Sequence, residues 1–137
     1  MKGPQTVGTI MAVGGKNLTV AFYTNGIQRQ DVLSRPYTPL YAGERYILSY
    51  DPTDPTITVM RFWQPVYDKR HYTHTTPTRL QRPWAPWGNA YVVFEYTVAG
   101  KLYERAQGLT PGRPWKEAPA ASVYYLTTDP RIAYLEF

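Results

Sequence analysis

The residues best suited to chemistry are the two histidines of the chain, His71 and His74, which follow Asp68 in the run DKRHYTH. On a helix, histidines three positions apart share a face and could chelate a divalent metal. The neighbouring tyrosine, threonines and proline favour an extended segment, in which this spacing places the two rings on opposite faces. The run therefore predicts a solvated connector, and a metal pair at His71 and His74 is the alternative.

Other patterns of catalytic residues are missing from the sequence. The chain has no cysteine, which excludes disulfides, thiolate metal sites and a cysteine nucleophile. Its serines lack a nucleophile elbow, and no glycine-rich phosphate loop is present. Glu95 and Glu104 are expected to point outward from neighbouring strands of one hairpin rather than to face each other across a cleft. The sequence therefore predicts a non-enzymatic protein without a cofactor.

The positive charge of the chain is concentrated in its middle. Residues 61–90 hold five basic groups and one acidic group, which is +4 of the net +5, together with three of the four tryptophans. Cations between aromatic rings suit single-stranded nucleic acid, since phosphates need charge and bases need stacking faces. The alternative is structural, with the tryptophans packed between two halves of the protein under arginine stems. The candidate binding residues are Trp63, Arg70, Arg79, Arg82, Trp84 and Trp87.

An internal repeat predicts the elements that position these residues. The segments 18–60 and 92–135 share one order of strand, glycine turn, loop, tyrosine-rich strand, Asp-Pro turn and strand. Aligning Gly26 with Gly100 sets Leu18, Val20 and Phe22 against Val92, Phe94 and Tyr96 on one face of a strand. We interpret the pattern as a duplicated β-module.

Each copy is predicted to contain five strands. They are expected near 7–13, 17–23, 27–34, 45–50 and 56–62, and near 78–82, 90–97, 101–107, 122–126 and 131–137. Asn25-Gly26 predicts a type I′ hairpin turn, and Ala99-Gly100 serves as its weaker counterpart. We predict an all-β protein of two packed modules, each an SH3-like or OB-like barrel or sandwich. The first covers residues 1–65, a basic and aromatic connector covers 66–76, and the second covers 77–137.

A proline- and glycine-rich loop follows the third strand of each copy. It reads RPYTPLYAGE in the first copy and LTPGRPWKEAPAA in the second. Loops carried on a rigid sheet are where binding specificity usually lies. They add four candidate binding residues, Tyr37, Tyr41, Arg113 and Trp115.

The second copy is similar to an uncharacterised family of small bacterial β-domains that lie between transmembrane helices in envelope proteins. The matching positions are Tyr96, Gly100, Lys101, Tyr103, Val123, Tyr125, Asp129 and Pro130, and the first copy follows the same outline. The resemblance implies an interaction or scaffold domain and supplies no catalytic residue. No apolar run reaches the roughly 18 residues that cross a bilayer, so we expect a cytoplasmic protein, with envelope association as the alternative.

The expected function is a binding or scaffold module of a bacterial protein that contacts another protein through its proline, glycine and aromatic loops. The alternatives are a binder of single-stranded nucleic acid or another anionic polymer, and a carbohydrate binder with exposed tryptophans. Open strand edges also favour a homodimer.

Overall fold

Strands and the turns between them make up most of the described chain. A computed structural model describes residues 3–35, 39–55, 58–81, 91–109 and 121–136. The predicted all-β class is confirmed. Two units divide the chain, Met1–Tyr67 and Asp68–Phe137. Among the described residues, no helix is long and apolar enough to cross a membrane.

Unit 1 is a five-stranded antiparallel sheet. Its strands are β1 (Gln5–Val13), β2 (Asn17–Thr24), β3 (Ile27–Ser34), β4 (Arg45–Tyr50) and β5 (Thr58–Pro65). The strand order is β3-β2-β1-β4-β5. β1 is central because its first half pairs with β4 and its second half pairs with β2. A bulge near Met11 interrupts the ladder between β1 and β2.

The core of unit 1 follows the alternation along β2. Leu18, Val20 and Phe22 are buried, which confirms the predicted inward face. Gly8 lies on the inward side of β1, with the side chains of Val20 and Leu48 against its Cα. The core is completed by Ile10, Leu40, Tyr46, Leu48 and Met60.

Unit 2 contains a short 3-10 turn and two three-stranded sheets. The turn is Lys69–His71, and the strands are β6 (Tyr72–Thr75), β7 (Arg79–Gln81), β8 (Tyr91–Val98), β9 (Lys101–Gly108), β10 (Ser122–Leu126) and β11 (Asp129–Glu136). One sheet has the order β11-β10-β6 and the other has the order β7-β8-β9. Part of the expected connector is therefore structured, because β6 pairs with β10.

The core of unit 2 uses the aligned positions of β8. Val92, Phe94 and Tyr96 are fully buried, as the repeat predicts. The Tyr96 ring stacks against Tyr103 and Tyr125 at centroid distances of 5.6 and 6.3 Å. Small and aliphatic side chains from β10, β11 and the residue before β10 fill the remaining space, namely Ala121, Val123, Ala133 and Leu135.

Side-chain hydrogen bonds join β3 to β5 in unit 1 and β9 to β11 in unit 2, and we call each of these boundaries a seam. In unit 1, the Thr58 hydroxyl donates to the Asp31 carboxylate at 2.8 Å. In unit 2, Arg105 Nη1 donates to the Ala133 carbonyl at 3.0 Å. The Gln107 amide there donates to the Leu135 carbonyl at 3.1 Å and accepts from its N–H at 2.8 Å. Side chains therefore bridge both seams.

Both hairpin turns have positive φ at their two central residues. The angles are 50° and 77° at Asn25 and Gly26, and 50° and 80° at Ala99 and Gly100. The type I′ turn predicted from Asn-Gly is confirmed, and the second turn has the same form. Only Ala99 carries a Cβ without a polar group that would ease this conformation.

Ala99→Asn is therefore expected to stabilise unit 2 by about 1 kcal/mol, because asparagine tolerates the left-handed region that costs alanine about that amount. Chemical denaturation of both proteins measures the difference. Asn25→Ala is the matched variant of the first turn and should lower stability by a similar amount. An unchanged denaturation midpoint for Ala99→Asn would contradict backbone strain at Ala99.

Candidate functional site

Ion pairs within unit 2 engage three of the five basic groups in segment 61–90. Lys69 Nζ lies 2.8 Å from Glu136, and Arg70 Nη2 lies 2.7 Å from Asp68. Arg79 is 3.8 Å from Glu95. Glu95 and Glu136 come from outside the segment, so the fold offsets two of its four net positive charges. The predicted candidates Arg70 and Arg79 therefore lie in ion pairs with carboxylates.

The Asp68 carboxylate caps the 3-10 turn. It accepts from the Arg70 backbone N–H at 3.0 Å and from the guanidinium of the same residue. These bonds, the guanidinium first, lower the pKa of Asp68 from its ordinary value of 3.8 to about 2. The stabilisation is present above the ordinary pKa and is lost as the pH falls through about 2.

A carbon-detected NMR titration should accordingly give Asp68 a midpoint near 2 in the native protein. In Arg70→Ala the midpoint should rise toward the ordinary value, because the side-chain bonds are lost and the backbone bond remains. Arg131→Ala, which removes a similar partner of Asp129, is the control and should leave Asp68 unchanged. A midpoint near 4 in the native protein contradicts the cap.

Trp63 is half-buried, and the Arg61 guanidinium lies 6.0 Å from its ring centroid. Arg61 also donates to the buried Ser49 hydroxyl at 3.1 Å. This is the expected arrangement of an arginine over a tryptophan ring. The remaining predicted residues Tyr37, Arg82, Trp84, Trp87, Arg113 and Trp115 lie outside the described residues.

His71 and His74 are both exposed, in the 3-10 turn and in β6 respectively. His71 Nε2 lies 4.0 Å from Asp68, and the His74 ring lies 5.9 Å from the Tyr124 ring. Within the described ranges, no group of three or more histidine, aspartate or glutamate side chains is arranged to hold a metal. Each histidine has a different neighbour, so the structure gives the pair no shared third ligand there.

Tyr41 is positioned by a buried carboxylate. Glu44, whose exposed fraction is 2%, accepts from the Tyr41 backbone N–H at 2.7 Å and from the Tyr46 hydroxyl at 3.0 Å. The Gly43 N–H and the Glu44 carbonyl also bond to Ile10 of β1. The end of the first proline-rich loop is therefore fixed to the sheet.

The outer side of β1, β2 and β3 forms a surface without charged side chains. Because Val20 and Phe22 point inward, Thr19 and Tyr23 point outward together with their neighbours across the ladders. We name this surface the uncharged face, and it consists of Thr9, Met11, Ala12, Thr19, Ala21, Tyr23, Gln28, Gln30 and Val32, of which Ala21 is itself buried. The exposed fractions of Met11, Tyr23 and Val32 are 51%, 59% and 62%.

The corresponding surface of unit 2 is charged. Arg79, Glu95 and Glu104 form one row across β7, β8 and β9. The predicted outward position of both glutamates is confirmed, since they are direct partners on neighbouring strands. The contrast singles out the uncharged face as the surface that distinguishes unit 1.

Sequence reasoning did not find the uncharged face. Its signal in the sequence is the absence of charge at alternate positions of three strands. The register between the strands must be known before those positions can be placed on one face. The predicted candidates were chosen for the charges and rings they have, and this surface is defined by charges it does not have.

Searches for related proteins gave no match to a protein-family model, to a curated protein or to a solved structure. The resemblance to small bacterial β-domains therefore rests on the residues quoted for it.

Proposed function

We propose that this protein is a non-enzymatic binding module that docks another protein through the uncharged face. The observation that carries the proposal is the run of nine outward side chains on three adjoining strands without a charge, in a chain with 25 charged residues. Interface cores are depleted of lysine, glutamate and aspartate and enriched in tyrosine and methionine. Tyr23 and Met11 are the exposed anchors of this kind.

The partner surface should also be poor in charge. A charged group buried against the uncharged face would lose water without gaining an opposite charge, which is costly. Three strands of eight residues span about 14 by 27 Å. That is about 380 Å² per partner, roughly half of the ~800 Å² that a standard specific interface buries on each side, so we expect a weak, transient complex.

Nucleic acid fits this surface poorly. Binding a strand requires cations along the phosphate backbone, and the only cation placed beside the uncharged face by the described ladders is Arg45, the β4 partner of Thr9. The matching face of unit 2 carries Glu95 and Glu104, which repel phosphate. The described basic groups Lys69, Arg70 and Arg79 already face carboxylates.

Carbohydrate is the second candidate ligand. The exposed Tyr23 ring has Gln28 beside it across the ladder, and Gln30 lies two positions along the same strand. An aromatic ring beside amide groups offers a stacking face and hydrogen bonds to sugar hydroxyls. Tyr23 replaces the exposed tryptophans of the earlier expectation in this role.

Duplication of one five-stranded barrel accounts for both units. β6 and β7 together correspond to β1. β6 pairs with β10 in the way that the first half of β1 pairs with β4, and β7 pairs with β8 in the way that the second half of β1 pairs with β2. The bridge from Asp31 to Thr58 has its counterpart in the bridge from Arg105 to Ala133 at aligned positions. Of the two barrel types expected, this favours the OB-like plan, in which the second and third strands bind ligands.

A photo-cross-linking residue at Met11 tests the proposal in the source cells. The captured protein is then purified and titrated against native protein, Tyr23→Lys and Thr97→Lys, in which Thr97 is the unit 2 counterpart of Tyr23. We expect Tyr23→Lys to weaken binding at least about tenfold, because the new charge is buried. Thr97→Lys should bind normally. Equal binding by all three proteins, or capture of an oligosaccharide or nucleic acid instead, contradicts a protein-docking role for this face.

A further inference from the structure

The β3 strand ends the sheet of unit 1, and alternate residues turn their main chain away from β2. The two-residue turn makes Thr24 and Ile27 a hydrogen-bonded pair, so Arg29 and Asp31 also bond to β2. The N–H and C=O groups of Gln28, Gln30 and Val32 therefore face the edge. The Val32 N–H supports this geometry, because it donates to the Asp31 side chain at 2.9 Å rather than to β2.

The sequence of this edge is self-complementary. We propose that a second copy of the chain pairs antiparallel with β3, with Gln30 opposite Gln30 of the partner copy at the two-fold axis. In that register Arg29 lies opposite the aspartate at position 31 of the other copy, twice per dimer. The same register matches Gln28 with the valine at position 32 and Ile27 with the leucine at position 33.

The hydrogen-bonding pattern agrees with the charge pattern. The main-chain groups of Gln28, Gln30 and Val32 face the edge. In the proposed register, Gln30 with Gln30 and Gln28 with Val32 are therefore the hydrogen-bonded pairs of the new ladder. Arg29 and Asp31 then form a non-hydrogen-bonded pair, in which side chains are closest. A shift by one residue breaks both patterns at once.

In the single chain these charged groups have other partners. Arg29 Nε donates to the Thr24 hydroxyl at 2.6 Å. The Asp31 carboxylate holds the Val32 N–H and the Thr58 hydroxyl. A charged side chain at a sheet edge discourages strand addition. Pairing exchanges these bonds for bonds to the second copy, so association competes with the seam and depends on concentration.

The equivalent edge of unit 2 does not offer the same pairing. An antiparallel pair of β9 strands in the matching register places Glu104 opposite its own copy, which is a like-charge contact at the axis. Arg105 and Gln107 also bind the main chain of β11. The dimer is thus specific to unit 1, and it goes beyond the docking function because it needs no partner protein.

Sedimentation analysis of charge variants tests the register. Arg29→Glu and Asp31→Lys each create two like-charge contacts in a self-dimer and should weaken it at least about tenfold relative to the native protein. A mixture of the two variants restores both opposite-charge contacts. We expect each variant alone to sediment near 15.7 kDa and the equimolar mixture to form a heterodimer of twice that mass.

Gln30→Pro and Gln30→Ala form a matched pair that does not depend on charge. Proline removes the N–H that faces the second copy, leaves the bonds to β2 in place and is tolerated on edge strands. Alanine keeps the N–H. We expect the proline variant to be monomeric and the alanine variant to dimerise, with native circular dichroism for both.

Three results would each overturn the proposed register. They are a native protein that stays monomeric at millimolar concentration, a variant mixture that fails to associate, and a Gln30→Pro variant that dimerises like the native protein. Tyr23→Lys, which is expected to weaken docking at least about tenfold, lies on β2 and should dimerise normally. A failure of the docking function is therefore separate from a failure of the dimer.

Discussion

Gly8→Val is expected to lower the free energy of unfolding of unit 1 by about 3 kcal/mol, the upper end of the usual cost of overpacking a core. A Cβ at Gly8 would lie 2.9 Å from the Met60 sulfur, 3.0 Å from Val20 Cγ1 and 3.1 Å from Leu48 Cδ1. These side chains come from β2, β4 and β5, so the added side chain has to displace buried groups of three other strands at once. Urea denaturation followed by circular dichroism measures the loss.

Gly15→Val provides the control for Gly8→Val. No atom lies within 4 Å of a Cβ built at Gly15, which is exposed in the turn between β1 and β2. Its stability should stay within about 0.5 kcal/mol of the native protein. A Gly8→Val protein as stable as the Gly15→Val protein would show that the interior of unit 1 has room that the structure does not give it.

Gln107→Leu is expected to destabilise unit 2 by about 2 to 3 kcal/mol. The Gln107 amide satisfies both the N–H and the C=O of Leu135, at 2.8 and 3.1 Å, in place of a neighbouring strand. Leucine has a similar size but no polar atom, so two partly buried main-chain groups lose their partners, and each loss costs about 1 kcal/mol or more. Denaturation of the variant gives the value.

Hydrogen exchange locates the effect of Gln107→Leu. The Leu135 N–H should exchange faster in the variant, because its acceptor is gone. Gln28→Leu makes the same substitution at an exposed strand position and should change stability by no more than about 0.5 kcal/mol. Unchanged protection of Leu135 contradicts the bridging role of Gln107.

The strand pattern could be predicted because its causes are local. The alternation of Leu18, Val20 and Phe22 sets the buried face of β2, and Asn25-Gly26 sets the turn that fixes its register with β3. The bounds of β3 and β4 match the expected ranges, Ile27–Ser34 and Arg45–Tyr50.

The sequence did not predict β6, because the run from Tyr72 to Thr75 contains only polar and aromatic side chains. Neither face of the strand is apolar, so no alternation marks it. It is held by pairing with β10, about 50 residues later in the chain. Pro77 follows it and separates β6 from β7. Only the tertiary contacts show that the expected connector belongs to unit 2 from Asp68 onward.

Long-range contacts also determine how much of the charge of the basic segment is offset. Lys69 and Glu136 are 67 residues apart, and no local signal links them. Counting charges along the chain missed the two carboxylates, Glu136 and Glu95, that folding places beside Lys69 and Arg79. The uncharged face is likewise formed by residues that are distant in the sequence and adjacent only in the sheet.

The salt dependence of partner binding tests the docking surface most directly. The affinity of the purified partner should be measured by calorimetry at 50 and 200 mM salt for the native protein and for Tyr23→Lys. An uncharged interface predicts less than about a threefold change with salt in the native protein and at least a tenfold loss in the variant. A fall of about a thousandfold over the same salt range, unaffected by Tyr23→Lys, would show an electrostatic site elsewhere and contradict the account.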